Sequence, residues 1–372
     1  MDKLLLIGPS PARPGGVATY IRHLTAALEG DASTDWAFFP TDKGTSNSLR
    51  GRLSAGLGVA RDLRRRLAEA DRQFAHICCG SDESGWGLRE GLFHGGMCQR
   101  AGLRTLLHLH ASALPHLLSP ERAERRFLVH RLGSADALAV PSDATLDLLA
   151  ECGIRRSRIC VIPNSVPLLP WSPRPHRPGS PLRLLLVGSI EDRKGIEVLL
   201  DALAQLAKDR PGQIQVDAYG PAAVSRDRLA LWQARGGQLG LRFLGAVPPA
   251  QVQQALSASD GLILPSLAEC QPFALLEAMA ASRPVLASDC GGIGRLLAGG
   301  AGDCVLPGDT ADLVRALKRW IAQPDHLLRL ARGGWERVRD QHSLPHGLAA
   351  THEAWDLATQ AGTLRTSGGP QR

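Results

Sequence analysis

A chain of 372 residues has room for two or three domains, each with its own core. Apolar residues make up 44% and charged residues 21%, which excludes a disordered or fibrous protein and leaves an ordinary globular one. The net charge of +7 and pI near 9.2 favour anionic partners such as nucleotide diphosphates or acidic lipid. The 4% aromatic content disfavours stacking on single strands, and no nucleic-acid partner is expected.

The chain opens on MDKLLLIG, an apolar run too short for a signal peptide, and no run approaches the roughly 20 apolar residues of a membrane span. Eight cysteines without a CxxC pair read as reduced, mostly buried thiols of a cytoplasmic protein. Short apolar runs recur at 4–8, 75–80, 105–110, 137–142 and 159–164. Helical patterns lie between several of them, as with Val17, Tyr20, Ile21, Leu24 and Leu28 directly after Gly15-Gly16. This alternation predicts a parallel sheet with helices on both faces. The stretch 50–72 opens on Arg50, closes on Arg72 and reads as a basic amphipathic helix. It is a solvated face or a docking face for anionic lipid, with nucleic-acid binding the least favoured reading.

Six prolines at 167, 170, 173, 175, 178 and 181 exclude helix and central strand and mark an interdomain linker. The pattern then restarts, with runs at 182–188, 214–220, 241–245, 261–266 and 284–288, and helical spacing at Ile196, Leu199, Leu200, Leu203 and Leu206. The expected division is a Rossmann-like domain at 1–167, a linker at 168–181, a second Rossmann-like domain at 182–340 and a helix at 341–360, with the tail at 361–372 disordered. Two such halves bind ligands between the carboxyl ends of their strands.

Glu269 and Glu277 are separated by seven residues in PSLAECQPFALLEAMA. The first lies in a loop after an apolar run, the second about two turns into the helix that follows. Helix N-terminal amides attract phosphate, so the carboxylates are assigned to sugar hydroxyls. The loop GSIEDRKG, from Gly188, carries Arg193 and Lys194 to the mouth of the cleft, across from the acids. Cations there would stabilise the charge that develops on a leaving diphosphate. Gly15-Gly16 and Gly291-Gly292 stand at helix starts where a phosphate can approach the backbone, but Gly8-Pro9-Ser10 is no GxGxxG fingerprint, so hydride chemistry is not supported. His108 and His110 share a strand face, His110 nearer the carboxyl end, and no third ligand makes a metal site with them.

Together GGVATY, TLLHLH, VPSDATLDLLAECGI, RICVIPNSV, LLVGSIEDRKGIEVLLDAL, RFLGAVP and the E-x7-E segment with LEAMA, PVLAS and GG resemble the retaining, nucleotide-sugar-dependent glycosyltransferases of family 4, which have the GT-B fold. The resemblance runs over nearly the whole chain, and the order and spacing of its pieces carry it. It implies that Glu277 holds the donor ribose, that Glu269 contacts the donor sugar, and that Arg193 and Lys194 bind the diphosphate. It places Gly16 beside the phosphates, His110 near the sugar and Val247 at the base, and it makes 1–167 the acceptor-side domain and 182–340 the nucleotide-sugar domain, with the helix at 341–360 returning to the first. The donor-binding set it implies comprises Gly15, Gly16, Gly188, Val247, Gln271, Phe273, Glu277, Gly291 and Gly292. No metal or other cofactor is expected.

Four positions depart from the family pattern. Gln271-Pro272 replaces Phe-Gly and removes a backbone donor, and Gly294-Arg295 stands where Pro-Glu is common. Ser189 replaces a frequent Arg, and Ser165 replaces a Gly. The function implied is sugar transfer with retention to a glycan or lipid-linked hydroxyl in bacterial surface polysaccharide synthesis. The protein would be cytoplasmic or peripheral at the inner face of the plasma membrane. The rival readings are a nucleotide-sugar epimerase on the same fold and a non-catalytic binding relative.

Overall fold

The computed structural model describes residues 3–42, 49–69, 73–80, 84–110, 112–177 and 179–366, with backbone alone at 49–53, 69 and 361–366. The chain divides into two compact units, one running to Asn164 and resuming at Leu344, the other Ser165–Ser343.

The first unit comprises β1 (Lys3–Gly8), α1 (Gly16–Glu29), β2 (Asp35–Pro40), α2 (Leu49–Glu69), β3 (Phe74–Gly80), α3 (Trp86–Arg100), β4 (Arg104–His110), α4 (Leu114–Leu117), α5 (Arg125–Leu132), β5 (Ala137–Val140), α6 (Asp143–Glu151) and β6 (Ile159–Val161). Its strands form a parallel sheet in the order β2-β1-β3-β4-β5-β6. Central strands are apolar throughout because both faces are covered. Leu5, Ile7, Ala75, Ile77, Leu107 and Leu109 meet Val59 and Leu63 of α2, Leu88 and Leu92 of α3, and Leu128 and Leu132 of α5. The alternate residues His76, His108 and His110 face Tyr20 of α1.

The second unit comprises β7 (Leu182–Val187), α7 (Ile196–Asp209), β8 (Ile214–Tyr219), α8 (Arg226–Leu239), β9 (Leu241–Gly245), α9 (Pro249–Ala258), β10 (Gly261–Leu264), α10 (Phe273–Ala280), β11 (Val285–Ser288), α11 (Ile293–Leu297), β12 (Asp303–Val305), α12 (Thr310–Ala322) and α13 (Pro324–Gln341). Its sheet runs β12-β11-β10-β7-β8-β9, all parallel. The expected α7 stripe of Ile196, Leu199, Leu200, Leu203 and Leu206 is buried. The helix α14 (Leu344–Thr366) returns to the first unit, where Trp355 packs on Phe74 and His76. It begins three residues after the expected 341 and runs on through 366, so the first half of the tail read as disordered, 361–366, is helical, and 367–372 lie outside the described residues.

The proline-rich stretch is bound to the second unit. Ser172 N–H donates to Ser282 Oγ at 3.0 Å, and Arg283 donates to the Ser172 carbonyl at 2.6 Å. Asp260 faces Arg174 at 3.6 Å and His176 at 3.3 Å, and Trp335 donates to the Leu169 carbonyl at 2.9 Å. The two ends of this unit are tied together, with Val166 N–H donating to the His342 carbonyl at 2.9 Å. Of the cysteines, expected to be mostly buried, only Cys78, Cys79 and Cys98 are; Cys304 is exposed and the other four are half-buried. Among the described residues no helix is long and apolar enough to cross a membrane.

Candidate active site

In the second unit the chain adds β8 and β9 on one side of β7 and then crosses to place β10 on the other. Such a reversal of strand order opens a crevice at the carboxyl ends of the two strands. The loops after β7 and β10 therefore lie side by side, and the Leu267 N–H donates to the Arg193 carbonyl at 2.7 Å. This corrects the expectation that the cations face the acids across a cleft: Arg193, Lys194 and Glu269 belong to one unit and one cluster.

Lys194 Nζ lies 2.6 Å from Glu269 Oε1, which also accepts from Ser266 Oγ at 2.9 Å. Arg193 Nη1 lies 3.2 Å from Glu269 Oε2 and donates to the Ala268 carbonyl at 2.8 Å, while its Nη2 donates to Glu191 Oε1 at 2.6 Å. The Lys194 and Glu269 side chains are only 8% and 7% exposed. Burial alone would raise the Glu269 pKa, but the charges of Lys194 and Arg193 and the bonds from Lys194 and Ser266 hold it below its ordinary value. Burial likewise opposes the Arg193 charge, and Glu269 and Glu191 outweigh it. Glu269 is thus a fixed anion, ill suited to proton transfer.

Two of the expected glycines seat this cluster. A Cβ on Gly188, at φ +144, would come 3.0 Å from Lys194 Cε. One on Gly291, at φ +59, would come 2.1 Å from the Glu269 carbonyl oxygen. Only glycine allows both the backbone angle and the approach. The Gly292 N–H, expected to meet phosphate, donates instead to the Cys270 carbonyl at 3.1 Å. Gln271 and Phe273 are buried at the entry to α10, which Pro272 precedes. Glu277 is the fifth residue of α10, one turn in and half-buried, so the expected two turns shorten to one. Val247 follows β9 on the outer edge of the sheet, two strands from β7. Glu191 and Ser266 were given no role from sequence. Their signal was position alone: two residues before Arg193 and three before Glu269.

The remaining expected residues lie in the first unit. Gly15 and Gly16 are exposed at the start of α1, and among the described residues nothing lies within 4 Å of where a Cβ would stand. His110 ends β4, its ring 3.9 Å from His108 and 4.5 Å from Tyr20, centre to centre. Its Nε2 is buried and has no hydrogen-bond partner among the described residues, and burial pushes its pKa down to about 3.

No third ligand was expected to join His108 and His110; His108 instead shares a group with His76 and Cys78 of β3, whose donor atoms lie within 4.8 Å of one another, because Cys78 pairs with His108 across the ladder. The hydrogen bonds nevertheless describe a relay. Trp355 Nε1 donates to His76 Nδ1 at 3.2 Å, so a neutral His76 carries its proton on Nε2, which faces His108 Nδ1 at 3.3 Å. A metal at His76 Nε2 would put that proton on Nδ1, directly against the Trp355 N–H.

Two Rossmann-like units, the second with a buried glutamate and two cations at its switch point, make the GT-B architecture. The matches agree with it in both halves. Residues 14–168 match the model described as Glycosyltransferase Family 4, and residues 181–323 the model described as Glycosyl transferases group 1. The chain is 30% identical over 235 residues to the glycogen synthase of Mycobacterium tuberculosis, covering 61% of this chain and 55% of that protein. It is 33% identical over 221 residues to the phosphatidyl-myo-inositol mannosyltransferase of Mycobacterium leprae, covering 58% and 52%. The chain thus spans about half the length of these curated relatives. Among solved structures it is similar to sucrose-phosphate synthase from Thermosynechococcus elongatus, with TM-score 0.76 and 21% identity over 98% of both chains. It is also similar to Anabaena HepE in complex with UDP-glucose, with TM-score 0.70 and 19% identity over 99% of this chain and 100% of that one. The chain resembles the GT-B glycosyltransferases of family 4 and shares their fold.

Proposed function

We propose that this chain is a retaining, metal-independent glycosyltransferase that moves a sugar from a nucleotide diphosphate to a hydroxyl of a glycan or lipid-linked acceptor in bacterial surface polysaccharide synthesis. The Lys194–Glu269–Arg193 cluster at the β7/β10 switch point carries the proposal. In the step we derive, the bond from the anomeric carbon to the phosphate oxygen breaks and the acceptor oxygen bonds on the same face. The acceptor proton passes to the leaving phosphate oxygen. Arg193 and Lys194 hold the charge that builds there, Glu269 orients the sugar, and Glu277 anchors the ribose. His110 contributes a neutral imidazole on the acceptor-side unit.

UDP and UDP-glucose occupy structures of HepE, so UDP-sugars are the first donors to test. Product analysis of a donor panel with and without glycan acceptors separates the readings. A glycoside formed only with acceptor supports transfer. Donor converted without acceptor means an epimerase, and binding without conversion means a non-catalytic relative.

The first unit also supports a lipid surface as partner. On α2 the exposed residues Ser54, Leu57, Arg61, Arg64, Arg65 and Ala68 recur at helical spacing, opposite buried Val59 and Leu63. The side chains of Arg50 and Arg52, and Arg72 as a whole, lie outside this description. The helices α3 and α5 pack on the same sheet face as α2 and expose Phe93 (51%) and Phe127 (58%), as α2 exposes Leu57 (69%). Apolar side chains among arginines suit an anionic bilayer. Flotation with vesicles containing phosphatidylglycerol is expected to carry the protein, and Arg61→Glu/Arg64→Glu to reduce this several-fold. Equal recovery with neutral vesicles contradicts the docking face.

A further inference from the structure

Glu191 is the group at this site that the proposed chemistry leaves unused. It caps the short 3-10 turn Asp192–Lys194 and holds Arg193 Nη2 at 2.6 Å. With Glu269 it sets two carboxylates against the two cations, so the formal charges of the four side chains cancel. A diphosphate arriving at such a cluster gains little net attraction until one carboxylate gives way.

The two carboxylates are not equally able to do so. Glu269 is 7% exposed and tied by Lys194, Arg193 and Ser266. Withdrawing it would leave Lys194 buried without its partner. The Glu191 side chain is 29% exposed, and its pair with Arg193, itself 27% exposed, is the outermost of the cluster. Solvent can take up the Glu191 carboxylate when it leaves. The neighbouring Asp192 has a different partner, Arg228, at 2.6 Å.

We infer that Glu191 is an internal competitor for the donor phosphate: it occupies Arg193 in the empty site and must release it when a nucleotide diphosphate binds. The inference rests on the donor-site reading of this cluster. Glu191 is thus a residue that tunes donor affinity through Arg193, holding the cation in place at the expense of binding strength. Arg193, rather than the more deeply buried Lys194, is the cation that changes partner.

The test is calorimetric titration of the full chain with UDP, ADP and GDP in chelator-containing buffer, on wild type, Glu191→Gln, Arg193→Gln and the double variant. Glu191→Gln keeps the side chain's size and hydrogen-bonding capacity and removes its charge. A partly exposed ion pair is worth little, so the expected gain for the nucleotide that binds is about two- to fivefold in Kd. That gain is expected to vanish in the double variant, because Glu191 acts through Arg193. Unchanged or weaker binding by Glu191→Gln, or a gain that survives loss of Arg193, overturns the inference and leaves the donor site standing. If none of the three nucleotides binds any variant, the donor-site reading falls and takes the inference with it.

Discussion

At the residue scale, Glu269 is an anion held by two cations and a serine hydroxyl in a nearly closed site. Removing one partner of a buried ion pair leaves the other charge uncompensated, at a cost of about 3–5 kcal/mol. Glu269→Gln keeps an acceptor for Lys194 and Ser266, so a loss near the lower end is expected, read as a lower midpoint in urea unfolding. A loss below about 1 kcal/mol, the range of an exposed pair, would mean that the pair is not buried in solution. Glu277 was visible in the sequence because it is a lone charge among the apolar residues of α10, and Glu269, Arg193 and Lys194 because they sit just after apolar runs. Their direct pairing was not visible, since it depends on β10 lying beside β7, which strand order decides. Ser266 was passed over because it closes an apolar run, where a hydroxyl looks like a simple stop signal.

At the element scale, β3 and β4 carry imidazoles where a core would ordinarily be apolar. Burial pushes His76 and His110 down to about 3, and His108 well below its ordinary value, with repulsion from His110 adding to the effect on both His76 and His108. The unfolded chain therefore takes up protons first as pH falls below the ordinary histidine value of 6.5. Stability from these neutral rings is full above that pH and falls as pH drops towards about 3. Glu269 adds its loss only below its ordinary value of 4.5. Thermal midpoints measured from pH 7.5 down to 4.5 are expected to decline, and a flat profile contradicts the buried neutral relay. The apolar runs foretold every strand except β2 and β12. Both are half-covered edge strands: β12 is three residues long, and the short run Trp36–Phe39 of β2 is closed in by Asp35 and Pro40. The proline count correctly excluded helix and central strand from 167–181, but composition cannot tell a free linker from a strap pinned by Ser282, Arg283, Asp260 and Trp335.

At the scale of the whole molecule, the chain is one architecture used twice, with each sheet reversing its strand order after two crossovers or fewer. The doubling was legible because parallel strands covered on both faces leave unbroken apolar runs. The chemistry is divided unequally. The second unit holds the charge cluster and α10, and the first holds the neutral histidines and the basic apolar face of α2, α3 and α5. The central claim is that the charge cluster is where a sugar leaves its nucleotide. Its most direct test is steady-state turnover of Lys194→Ala with the nucleotide sugar that the wild type consumes, at saturating acceptor. Loss of one charge-stabilising group from a transition state predicts a kcat lower by roughly 100-fold, or about 3 kcal/mol. An unchanged kcat would contradict the account.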